Sequence, residues 1–140
     1  MKSIAFIITF FLTALGTAQD STKVKAETPR IVSKLQLGKL MHFDTVDIKF
    51  VEVVTDSRCP KNVNCVWAGE ATVLVDVFKN GEKIGQKKLT FDSSSKLKDQ
   101  FANIFASEGL NVTGHDLSPY PVYGKKLEKE DYYIQLIVKH

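Results

Sequence analysis

The chain contains no GxSxG elbow, no HExxH pair and no phosphate-binding P-loop, so no catalytic motif speaks for a hydrolase, a metalloprotease or a nucleotide-dependent enzyme. A triad assembled from distant residues would leave no such motif, which keeps a small hydrolase among the readings. Cysteine is scarce, with two in 140 residues, and two thiolates alone fall short of the four ligands of a structural zinc site. The other soft or imidazole donors, Met41, His42, His115 and His140, stand at no ligand spacing. Adjacent Met41 and His42 would face opposite sides of a strand. Neither a metal nor a cofactor is expected. Lysine never runs beyond the pairs Lys87-Lys88 and Lys125-Lys126, and the net charge of +3 is scattered rather than gathered into the basic patch of a nucleic-acid binder. Long apolar runs are missing too. The longest, Ile4 to Leu15, is interrupted by Thr9 and Thr13 and falls short of the roughly 20 residues that span a bilayer.

Beside its flanks, that same stretch takes on a different meaning. Lys2 precedes it, and Gly16-Thr17-Ala18 and then Gln19-Asp20 follow it. A basic start, a short apolar centre and small residues before a polar segment form the pattern of a secretory signal peptide, with cleavage expected after Ala18. Residues 1–18 are therefore expected to be removed, leaving a periplasmic or secreted chain with no transmembrane span. Export places Cys59 and Cys65 in an oxidising compartment, where a bond between them is favoured over two free thiols. Residues 19–30 are polar and aperiodic and read as a flexible leader. A composition of 44% hydrophobic and 25% charged residues suits one globular domain over residues 31–140.

Alternating apolar residues mark its strands. Val46, Ile48, Phe50, Glu52 and Val54 are expected on one face of a central strand, and Ala71 to Phe78 alternates in the same way. Asn80-Gly81 supplies the positive φ angles of a tight hairpin, which returns over Lys83 to Phe91. Tyr132 to Lys139 is a further strand, and Ile31 to Leu37, Lys39 to Phe43 and Leu110 to Leu117 are shorter ones. Leu97, Phe101, Ile104 and Phe105 fall at helical spacing between Ser93–Ser95, which can cap, and Gly109, which can stop, so one amphipathic helix is expected there. These elements predict an all-β domain with one short helix, an immunoglobulin-like two-sheet sandwich of six to seven strands.

The segment from Asp56 to Glu70 joins the two strongest strands. Its cysteines enclose five residues, its Trp67 is the only tryptophan of the chain, and Asp56, Arg58 and Glu70 flank the loop. A carboxylate and guanidinium pair would lock its base, Gly69 would allow a bend, and the Trp67 indole is expected against the bridge or over the sandwich end. Downstream, Pro119-Tyr120-Pro121-Val122-Tyr123 is stiff and aromatic. A cis bond is expected at Tyr120-Pro121, and Tyr120 with Tyr123 forms a candidate aromatic patch. The strings Asp56-Ser57-Arg58-Cys59-Pro60 and Cys65-Val66-Trp67-Ala68-Gly69-Glu70, with Leu117-Ser118-Pro119-Tyr120-Pro121, resemble a group of uncharacterised exported bacterial proteins that share a DSRCP…CxWAGE core. The resemblance covers roughly residues 31–140. It implies an exported bacterial β-domain and no catalytic residue.

Three functional readings follow. The leading one is a non-enzymatic module that binds an unknown protein or cell-envelope ligand through Asp56, Arg58, Lys61, Trp67 and Glu70, because a cross-linked loop loses little entropy on docking. The second is an inhibitor of an extracellular hydrolase, with Arg58 or Lys61 entering the enzyme's pocket. The third, a small hydrolase, requires His115 beside Ser118 or a carboxylate pair such as Asp56/Glu70 or Glu128/Glu130 in one cleft.

Overall fold

A computed structural model describes residues 31–94 and 103–140. The expected signal peptide and leader, and residues 97–102 of the expected helix, lie outside the described residues. Among the described residues there are eight strands: β1 (Ile31–Gln36), β2 (Leu40–Phe43), β3 (Val46–Asp56), β4 (Ala71–Lys79), β5 (Glu82–Phe91), β6 (Asn103–Ala106), β7 (Asn111–Ser118) and β8 (Tyr133–Lys139). They form two four-stranded sheets, ordered β2-β3-β4-β5 and β1-β8-β7-β6, with every strand pair antiparallel. The two-sheet sandwich is the architecture expected from the alternation. The described residues carry eight strands rather than six to seven. Each sheet is built largely of sequential neighbours, without the crossed Greek-key order of immunoglobulin domains.

The additional strand arises where helix was expected. Ile104 and Phe105 lie in β6, paired to β7, with Ile104 buried and Phe105 packed on the core. The only helical element among the described residues is a single 3-10 turn at Lys129–Asp131. The β4–β5 hairpin turns on Asn80 and Gly81, both at positive φ (52° and 80°), as the pair's chemistry demands.

Between the sheets, Ile48, Phe50, Val73, Val75, Leu89 and Phe91 of one layer meet Leu35, Val112, Leu117, Ile134 and Leu136 of the other, all buried. Removing these apolar side chains from water, at about 25 cal/mol per Å² of buried area, is the main drive for the layers to close. The alternation along β3 is interrupted by register shifts between Phe50 and Glu52 and between Val53 and Thr55. Glu52 and Val54 are consequently exposed instead of sharing the face of Phe50, and Val53 packs inward. The second bulge restores the original phase, so Asp56 sits opposite buried Ala71 at the strand's end. Two bulges thus aim one carboxylate into the end of the sandwich.

Candidate functional site

The loop after β3 folds back on itself as a short ladder. Ser57 N donates to Glu70 O at 2.9 Å and Cys59 N to Ala68 O at 2.9 Å, while the Ser57 hydroxyl bonds Glu70 O (2.9 Å) and accepts from Glu70 N (3.2 Å). Gly69 is required for this closure. Its φ is +69°, and a Cβ there would lie 1.8 Å from Ser57 O. On the other side, Lys61 N donates to Pro121 O (3.0 Å) and Tyr123 N to Lys61 O (3.2 Å), a parallel bridge between residues 61 and 122. Three backbone segments, 68–70, 57–61 and 121–123, therefore lie side by side at one end of the sandwich. The Cys59–Cys65 disulfide, with Cα atoms 5.9 Å apart, closes the tip.

Arg58 anchors this platform from inside. Only 2% of the residue is exposed, and its guanidinium forms a fork on Asp56, Nε to Oδ1 at 2.8 Å and Nη2 to Oδ2 at 2.6 Å. Nη1 donates to Leu117 O (2.8 Å) and Nη2 to Pro119 O (3.2 Å), so one side chain ties the β3 end of one sheet to the β7 end of the other. Asp56 Oδ2 also accepts from the Tyr132 hydroxyl at 2.8 Å. Burial by itself would push the Asp56 carboxyl up, yet the bonds from Arg58 and Tyr132, together with the Arg58 charge, hold it below its usual range. Burial, and then the hydrogen bond to Asp56, push the Tyr132 phenol from 10.0 to about 12.

The expected site residues separate into an inner and an outer group. Asp56 and Arg58 belong to the interior clamp, so Arg58 is unavailable to enter a partner's pocket. Lys61 and Glu70 are exposed. Trp67 is 78% exposed, so it neither covers the bridge nor caps the sandwich. Val66 beside it is fully exposed at 109%. Tyr120 and Tyr123 part company as well. Tyr120 is half-buried, donates to Cys59 O at 2.9 Å and lies 5.1 Å from the Arg58 guanidinium and 5.6 Å from the Lys61 ammonium, whereas Tyr123 is 70% exposed. The cis peptide precedes Pro119 rather than Pro121.

Tyr132 and the carbonyls of Leu117 and Pro119 are participants that the sequence does not flag, because their roles depend on contacts some 60 to 76 residues from Asp56 and Arg58. Beside the loop lies an open groove of about 790 Å³ touching Pro60, Lys61, Asn62, Ser94, Asp116 and Tyr120. It is open to solvent rather than an enclosed cavity. Among the described residues no three His, Cys, Asp or Glu side chains gather as metal ligands. His115 makes no hydrogen bond to Ser118, and no helix among the described residues is long and apolar enough to cross a membrane. Compared with protein-family models, curated proteins and solved structures, the chain matches none.

Proposed function

We propose that this chain is an exported, non-enzymatic β-sandwich that docks on a protein or cell-envelope ligand through the tip of its disulfide loop. One observation carries the reading: Val66, Trp67 and Tyr123 stand in water on a backbone held by the ladder, the bridge to residue 122 and the disulfide. A loop fixed in this way keeps its apolar side chains from folding back, and little entropy is lost when a partner covers them. Tryptophan and tyrosine are the side chains that most often dominate such contacts. The signal-peptide pattern of residues 1–18 and the oxidised cysteines supply the export part of the reading.

The inhibitor reading is disfavoured by two features. Arg58 is interior, and the Lys61 amide and carbonyl are both engaged by residues 121 and 123, leaving no free edge there for an enzyme to pair with. The test is retention on the native envelope fraction by wild type and by a Val66→Ser/Trp67→Ser variant. Because both side chains are exposed, the variant is expected to melt within about 0.5 kcal/mol of wild type and to lose retention. Equal retention of the two proteins would reject the loop tip as the contact surface, and micromolar inhibition of a serine-protease panel would restore the inhibitor reading.

A further inference from the structure

Resting on that reading, we infer that the occupant of the loop tip is the anionic headgroup layer of a membrane, into which Val66 and Trp67 insert. The tip protrudes rather than forming a cleft: Val66 is 109% and Trp67 78% exposed, adjacent in sequence and next to Ala68, whose carbonyl is bonded to Cys59. A protein partner would need a pocket matched to this projection. A bilayer interface deforms around it, and indole and phenol rings favour that depth because one end is apolar and the other polar.

Charge at the same end complements the occupant. Lys61 is joined through its backbone to Tyr123, and Lys125 N bonds Val122 O in the turn that follows. Both lysines are exposed, and among the described residues neither pairs with a carboxylate, in contrast to Lys126, which is bonded to Glu128 at 2.8 Å. Both lysines stand on the segments joined to residues 121–123, Lys61 also over the Tyr120 ring at 5.6 Å, and with Val66, Trp67 and Tyr123 they complete the inferred anchor: the rings enter the headgroup region while the lysine charges face the phosphates.

The chain's single tryptophan is itself the probe. Full-length protein is mixed with vesicles of phosphatidylglycerol and phosphatidylethanolamine in equal parts, and in parallel with phosphatidylcholine vesicles. With the anionic vesicles, Trp67 emission is expected to move to shorter wavelength and to become shielded from acrylamide. Lys61→Gln and Lys125→Gln are each expected to weaken binding about fivefold, the effect of roughly one charge near such a surface, and added salt is expected to weaken it further. Co-sedimentation without a change in Trp67 emission would mean that another segment, such as the apolar residues 4–15, holds the vesicle, and would overturn the inference. Unchanged emission in all vesicles, with retention on the envelope fraction still dependent on Trp67, would overturn the lipid assignment in favour of a protein partner while leaving the docking reading in place. Loss of both would remove the two together.

Discussion

Asp56→Ala isolates the clamp on which the loop stands. The substitution deletes both acceptors of the Arg58 fork and the acceptor of the Tyr132 hydroxyl, and leaves a guanidinium whose side chain is 0% exposed without its counter-charge. Removing one member of a buried ion pair costs about 3–5 kcal/mol, against a total of about 5–15 kcal/mol for a domain. At about 4 °C per kcal/mol for a domain of this size, the melting temperature should fall by roughly 15 °C. Arg58→Met should be severe for a different reason, since the carbonyls of Leu117 and Pro119 lose their donors. The double variant should cost at least about 2 kcal/mol less than the sum of the two, because the buried charge is then gone with its partner. Denaturant unfolding under non-reducing conditions, followed by far-ultraviolet circular dichroism, measures all four proteins. Trp67 is too exposed to report on the core. An Asp56→Ala variant within about 0.5 kcal/mol of wild type, or strictly additive singles, would refute the clamp.

Other consequences follow from the same geometry. Asp56 is held below the usual carboxylate range, so its contribution is complete above that range and should be lost as pH falls through the lowered value. Tyr132 carries the opposite sign: its contribution is complete below pH 10 and lost as pH rises through about 12, and an ultraviolet titration should show a late tyrosinate step that Tyr132→Phe removes. Gly69→Ala drives a methyl group into Ser57 O and should cost more than about 3 kcal/mol by opening the ladder. Gly38→Ala, also at positive φ but in open space, should cost about 1–2 kcal/mol, so equal thermal shifts for the two would contradict the close approach. Cys59→Ser/Cys65→Ser should lower stability by about 2 kcal/mol, the value for so small a ring, and keep the far-ultraviolet spectrum. A collapsed spectrum would show that the bridge, not Arg58, holds the sandwich end.

What was legible beforehand was whatever depends on neighbouring residues. The period-two patterns of Ala71–Lys79 and Tyr133–Lys139 and the Asn80-Gly81 turn are local, and the strands and hairpin formed where those residues require. Leu97, Phe101, Ile104 and Phe105 also satisfy a helical period, but a four-residue strand needs only one inward side chain, here Ile104, and pairing with β7 decided the outcome at Asn103–Ala106. The bulges of β3 leave no mark in composition, so unbroken alternation places Glu52 and Val54 on the wrong face. Arg58 shows the deeper difficulty. Arginine in a loop is ordinarily solvated, and its burial becomes affordable only through acceptors brought by β7, by the turn after it and by the carboxylate two residues earlier.

The clamp and the disulfide act over different distances, and this division explains how a tryptophan comes to stay in water. Arg58 binds the loop's root to both sheets, while the Cys59–Cys65 bond and the Cys59–Ala68 hydrogen bond pin the chain on either side of Val66 and Trp67. If the root alone were fixed, the tip could swing and lay Val66 and Trp67 over the adjoining groove, hiding apolar surface at about 25 cal/mol per Å². If the tip alone were closed, the whole loop could pivot about its base. Together with the Cys59–Ala68 and Lys61–Pro121 bonds, the two restraints remove both escapes, so the apolar surface stays presented and its ordering entropy is already spent before any partner arrives.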